Sequence, residues 1–552
     1  GVVRNYLFLQ DVEKTVACVP FISQAHIGTA PKPLDLQTAH FLCAVFSNNV
    51  PTTQHNKGNG YCQGNFLPLP GEGHHTELEV VGTIPPELEG CYLRNGVNQR
   101  YEPQGKMHMF DGDAMLQAFM FAGGKCTSYA NSWVRTPRFL ANEVAGKDLY
   151  CPFGDLTIAG LPVAKKWGLQ ALKMRAGLIP YLPPTRAQNA STATQLIGGA
   201  LYACVEVNSP FRVRVDPQTG VVTSGTHNDF GGEIPVFTAH SRTDPSGNVV
   251  YFAKGARSED AQKQNPNRYG EIGPDGALKT CVEFKAGEGA PPAFLHDCFV
   301  TTSYAICIDH SLRADPSRMV STGYFHFDAE RNLRLGVFPR GATDAQELEW
   351  YDLDMPGFVW HTIGAREAGD LVTCWMPIFE TYTSDVPIHL ETEPESYLWK
   401  IVINTKTKAV EERTKFEAVG VTERCSTNGA YSAEREPRFA YLMLRSADEE
   451  MYTGVAKFDI VLEKVLGCIS YGKGRFGGEA YFVERPGATE EDDGWLVDII
   501  YDKASDKSEL CLWDARALDD EPLARVKAPH RIPYGVHAIF MTPEQLAKQP
   551  PL

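Results

Sequence analysis

The chain contains no apolar run near the ~18 residues that a membrane-spanning helix requires. Its fourteen cysteines are scattered, with no CxxC pair and no tight cluster, which disfavours a zinc knuckle or an iron–sulfur site. Cysteines so placed read as free, mostly buried thiols in a reducing compartment. Positive charge is scarce: 52 Lys and Arg face 68 Asp and Glu, a net charge of −16. That argues against nucleic acid, whose phosphates need a basic face. GxSxG, Walker A and HExxH segments are absent. One G-x-G-x-x-G is present, GKGRFGG at 472–478, but GEAYFVERP runs on from it. That text reads as a strand, whereas a dinucleotide pyrophosphate needs a helix there. The chain begins at Gly1 and not at Met, so its first residue is silent on a targeting peptide.

What is present is an ordinary globular balance, 43% hydrophobic and 22% charged over 552 residues, enough for several domains or one large all-β domain. Residues 1–60 read as an arm, with a short amphipathic helix expected at 34–46, LDLQTAHFLCAVF. Over 61–552 the texture becomes short apolar or alternating runs separated by turns such as DPQTG and DPSGN. Regular short strands of this kind predict a sandwich, barrel or propeller. HMFDGDAML at 108–116 reads as a tight turn whose aspartates cap backbone amides. One stretch departs from this texture: residues 155–182, DLTIAGLPVAKKWGLQALKMRAGLIPYL, have helical spacing. Lys165, Lys166, Trp167, Leu169 and Leu172 make it amphipathic and cationic. Such a helix packs over a β-core or lies in a bilayer interface, and the two readings suit different faces.

Four histidines sit in short apolar settings: His240 in VFTAHSRTD, His296 in AFLHDCFVT, His361 in FVWHTIGAR and His537 in IPYGVHAIF. Glu206, Glu423 and Glu479 have similar surroundings. In the order 240, 296, 361, 423, 479, 537 the gaps are 56, 65, 62, 56 and 58 residues. A four-stranded propeller blade with long loops takes up about that length. One polar residue delivered to the axis by each blade would let the imidazoles ring a metal. Neutral imidazole suits zinc, copper, iron or nickel. A carboxylate behind it accepts the other ring N–H, fixes the tautomer and makes the ring a better donor. Spacing alone does not choose the metal.

The residues that carry more than spacing are GNFLPLP at 64–70, GTIPPELEGCYLRNG at 82–96, MFDGDAMLQAF at 109–119, NSWVRTPRF at 131–139, GKGRFGGEAYFV at 472–483 and RIPYGVHAIF at 531–540. With them the chain resembles the carotenoid cleavage oxygenases, non-haem iron enzymes, from about Gly64 to Met541, and the plant-type members most. The resemblance implies a seven-bladed β-propeller with a helical dome over one face. It implies Fe(2+) on the axis, held by His240, His296, His361 and His537. It pairs Glu206 with His296, Glu423 with His361 and Glu479 with His537, and leaves His240 without a carboxylate. The text around Glu423, ERCSTN, keeps only the Glu-to-Asn spacing of the family's motif.

The activity so implied is cleavage of a conjugated C=C bond of a carotenoid or apocarotenoid by O2 into two carbonyl products, with no catalytic side chain beyond the metal centre. The expected substrate is a long apolar polyene. The expected location is intracellular, in plastid or cytoplasm, at a peripheral membrane surface. Cleavage of a stilbene or lignostilbene is the alternative within the scaffold. A retinoid isomerohydrolase and a non-catalytic binding propeller are further readings, since fold alone does not give function.

Overall fold

The computed structural model describes residues 56–552 apart from 57–58, 158–159, 184–185, 256–266, 287–294, 322, 383–393, 447–448 and 450. The predicted helix at 34–46 and nearly all of the 1–60 arm lie outside the described residues. Seven antiparallel sheets follow one another around an axis. Blades II to VI have four strands each, taken in sequence order from the inside outward. Their innermost strands are Ala193–Ile197, Arg242–Thr243, Cys298–Val300, Gly364–Ala368 and Thr422–Ser426. Blade VII is built on Tyr481–Glu484, Gly494–Asp502, Lys507–Asp514 and Ala524–Lys527, with Val80–Gly82 added at its outer edge. Blade I takes its innermost strand, Gly535–Met541, from the C-terminal end and the next, Gly90–Val97, from the N-terminal end.

Neighbouring blades cover each other's faces, so most residues of the middle strands are buried. LVTCWMPIF at Leu371–Phe379 is buried almost throughout. The outermost strands are wet on one side and alternate, as in Lys464–Ser470. Seven clusters of buried side chains each join two adjacent blades, from the interface of I and II round to that of VII and I. Burying each Val, Leu, Ile or Phe gains roughly 1.5–3 kcal/mol. The apolar stabilisation is therefore spread around the ring, with no single central core.

The turn signals fold as read. In DPQTG, Asp216 Oδ1 accepts from Gln218 N at 3.0 Å and Thr219 N at 2.8 Å, and Gly220 has φ +75°. Asp111 accepts from His108 N at 3.0 Å and Gly154 N at 2.7 Å, and Asp113 from Arg100 N at 3.0 Å, as expected of capping aspartates. Every cysteine among the described residues is a free thiol.

Among the described residues three α-helices break the β pattern: α1 (Pro137–Ala145), α2 (Leu161–Arg175) and α3 (Pro543–Lys548). Thr136 caps α1 by accepting from Phe139 N, and Gly146 ends it in the left-handed region. The helix expected across 155–182 is shorter, because Pro162 opens α2 and Gly177 and Pro180 follow its end. The expected dome is a small cap. Helices α1 and α2 meet through a cluster containing Ala141, Tyr150, Met174 and Leu182. A two-stranded ribbon, Leu312–Ala314 with Phe325–Phe327, completes it.

Candidate metal centre

The innermost strands explain the spacing of the histidines. His240, His296 and His361 lie two or three residues before the innermost strands of blades III, IV and V. Glu423 lies within that of blade VI, Glu479 two residues before that of blade VII, and His537 within the closing strand of blade I. Six residues thus occupy the same station on six successive blades. Glu206 is the exception: it comes from the turn after the second strand of blade II, Ala200–Cys204.

The four rings converge. His240 has its centroid 4.4 Å from His296, 4.7 Å from His361 and 4.4 Å from His537. The Nε2 atom of His361 is 3.4 Å from that of His296 and 3.2 Å from that of His537. Outside this cluster the Nδ1 of His296 meets Glu206 Oε1 at 2.9 Å, that of His361 meets Glu423 Oε1 at 2.6 Å, and that of His537 meets Glu479 Oε2 at 2.7 Å. The carboxylates accept Nδ1–H, so each Nε2 presents its lone pair inward. His240 Nε2 is buried and has no hydrogen-bond partner among the described residues.

Two backbone irregularities aim these side chains. Arg424 is a bulge residue at φ +49°, between Glu423 paired with Met443 and Cys425 paired with Leu442. The bulge turns Glu423 toward His361. Where the closing strand docks on Gly90–Val97, a Cβ on Gly96 would lie 2.8 Å from the Cα of Gly535, so glycine at both positions permits the docking that brings in His537. Glu417 and Glu434, the acidic neighbours of Glu423 in sequence, are exposed.

Burial, and then the charge of neighbouring imidazoles, pushes His240 and His361 well below the ordinary imidazole range. Neutral rings are the form that ligates. Burial acts to raise Glu206, but the charge and hydrogen bond of His296 outweigh it and hold the carboxyl low. Burial raises Glu423, and the Arg424 guanidinium opposes it. Four nitrogen donors backed by three carboxylates, with an orphaned buried nitrogen among them, fit a divalent transition metal.

An aromatic wall stands beside the rings. Trp360 lies 4.6 Å from His296, 5.6 Å from Phe110 and 4.7 Å from Phe358. Phe153 continues it to Phe325 at 5.2 Å. Trp360 was legible as the residue before His361, whereas Phe110 and Phe153 come from distant loops and left no spacing signal.

Two residues of the cationic patch read on 155–182 face the cap. Trp167 is only 9% exposed, and the Lys166 ammonium is held by Asp155 Oδ2 and Gln104 O, so both turn toward the body. Lys165, Leu169 and Leu172 are half-buried. Helical spacing showed that a face exists, but it could not show which face the cap covers.

Comparison with known proteins agrees with this geometry. The family model described as RPE65, Retinal pigment epithelial membrane protein, matches residues 66–542. Carotenoid 9,10(9',10')-cleavage dioxygenase 1 of Phaseolus vulgaris is 30% identical over 546 residues, covering 95% of each chain. A chloroplastic 9-cis-epoxycarotenoid dioxygenase of Oryza sativa subsp. japonica is 31% identical over 511 residues, covering 88% of this chain and 76% of that protein. The crystal structure of Pseudomonas brassicacearum lignostilbene dioxygenase superposes with a TM-score of 0.73 at 23% identity, covering 87% of this chain and 98% of that one, a likeness of fold. A four-histidine cluster on a seven-bladed ring, together with a family match over most of its length, places the chain in the RPE65/carotenoid cleavage oxygenase family of non-haem iron enzymes.

Proposed function

We propose that this protein is an Fe(II)-dependent dioxygenase that cleaves one conjugated C=C bond of a carotenoid or apocarotenoid. One O2 adds across the cleaved bond, and each product keeps one oxygen atom as a carbonyl. The observation that carries this reading is the convergence of His240, His296, His361 and His537 beside an apolar aromatic wall. The four Nε2 atoms would hold the iron, and Glu206, Glu423 and Glu479 orient three of the rings. Bound iron supplies the redox chemistry by which O2 reacts with an electron-rich double bond. No side chain is needed as acid, base or nucleophile. Trp360, Phe110 and Phe358 exclude water and hold a flat polyene, and its position along them selects the bond that reacts.

The substrate dissolves in membranes, so a docking surface by the cap suits this reading. Leu140 (49% exposed) and Val144 (93%) on α1 and Leu178 (46%) just after α2 are apolar side chains left in solvent on segments that pack together. They replace Trp167 as the residues proposed to enter a bilayer interface. No helix among the described residues is long and apolar enough to cross a membrane. The chloroplastic relative supports a plastid location, with the cytoplasm as alternative.

The test is incubation of the iron-loaded protein with β-carotene, an apocarotenal and resveratrol under ¹⁸O2, followed by mass spectrometry. Labelled carbonyl products from a carotenoid or apocarotenoid are expected. Cleavage of resveratrol alone would move the reading to stilbenes, and absence of oxygen consumption with every substrate would overturn it.

A further inference from the structure

Three of the four imidazoles are oriented by carboxylates, but His240 is not. Its position is therefore set through its backbone, and that backbone is gripped from two sides. Toward blade II, Gln195 Nε2 donates to Ala239 O at 2.9 Å, and Ser241 Oγ donates to Gln195 Oε1 at 3.1 Å. Toward blades IV and V the grip is Arg242, two residues beyond His240. Its Nη2 lies 2.6 Å from Asp297 Oδ2, 2.6 Å from Thr362 Oγ1 and 2.9 Å from Thr362 O, and its Nε donates to Cys298 O at 3.2 Å. Asp297 is the neighbour of His296, and Thr362 is the neighbour of His361. The same Asp297 Oδ2 accepts from Thr362 N at 2.7 Å, and Oδ1 accepts from Cys298 N at 2.7 Å. Asp297 and Thr362 are almost wholly buried.

We infer that Arg242 and Asp297 are positioning residues that lock the His240, His296 and His361 strands at the spacing a single metal ion requires. The inference rests on the iron-site reading above. An arginine that only tied blade III to blade IV would need one carboxylate. This one grips the residues next to two further histidines, with the planar fork that lysine lacks. A shift of the guanidinium moves the His240 backbone relative to both other rings, so the clasp supplies for His240 what Glu206, Glu423 and Glu479 supply for the rest.

Cobalt(II) serves as the probe because its visible absorption reports ligand geometry and needs no turnover. Full-length protein would be loaded with cobalt, its bands recorded, and release into excess chelator timed. Arg242→Gln and Asp297→Asn are expected to shift the bands and shorten the release half-time about tenfold or more, the scale of lost support behind a ligand. Arg242→Lys is expected to recover part of both. Arg334→Gln is the control: Arg334 Nε pairs with buried Asp309 at 3.1 Å in blade IV, and its loss should lower the melting temperature without moving bands or half-time. Wild-type bands and half-time in folded Arg242→Gln and Asp297→Asn, or equal changes in the control, would overturn the inference. Wild-type protein that takes up neither cobalt nor iron would instead overturn the metal-centre reading.

Discussion

At the scale of single residues, the three carboxylates behind the imidazoles are not equivalent. Glu479 serves His537, whereas Glu423 serves His361 and also lies 3.8 Å from the Nε of buried Arg424. Arg424 in turn bonds Tyr534 Oη and lies over the Tyr452 and Tyr534 rings. Glu423→Gln and Glu479→Gln should each weaken metal affinity about 10- to 100-fold, measured by chelator competition. Only Glu423→Gln should also lower the metal-free melting temperature, because it removes the anionic charge beside a buried cation. Calorimetry of the two apo-proteins checks the difference. The histidines were legible in sequence because each occupies the same place on its blade, and their chemistry needs one residue type. Glu206 stood outside the period, 34 residues before His240, because a turn and not an innermost strand delivers it. Arg242, Asp297 and Thr362 were passed over. Polar residues one or two positions after His240, His296 and His361 were the available signal, but nothing local says that they meet.

At the scale of elements, α2 shows where periodicity stops being informative. Lys165, Lys166, Trp167, Leu169 and Leu172 marked a helix that suited either packing over the β-core or a bilayer interface, and spacing alone did not assign the faces. The cap places Trp167 inside, and Asp155 captures Lys166. Trp167→Ala should therefore act on stability, costing about 3–5 kcal/mol as expected for a large buried aromatic. Liposome binding of the folded fraction should stay near wild type. Replacing Leu140, Val144 and Leu178 together by serine should do the reverse. Flotation with vesicles and a thermal melt on the same samples distinguish the two outcomes, and unchanged flotation of the triple variant would remove the docking surface. Helix α1 carries its own start signal, Thr136-Pro137, yet it lies in a stretch dominated by strands and was not read as a helix.

At the scale of the whole molecule, stability comes from seven similar interfaces closed by one strand from each end of the described chain. An all-β architecture could be read from turns and short apolar runs, and the family resemblance supplied seven blades. The repeat alone could not count them: blade II sends nothing to the metal from its innermost strand, Ala193–Ile197, and blade I is assembled from both ends. A chain ended after Tyr534 would lose His537 and leave the strand Gly90–Val97 with a bare edge facing the axis. Such a protein should lack a cooperative thermal transition and bind no stoichiometric iron, as calorimetry and metal analysis would show.

The closing strand also orders events during synthesis. A ribosome makes His240, His296 and His361 long before it reaches His537, and the shared vertex of the donor set does not exist until residues 535–541 have emerged and docked beside Gly90–Val97. Acquisition of the ion is thereby tied to completion of translation, and a prematurely released polypeptide is left with an open, three-donor site.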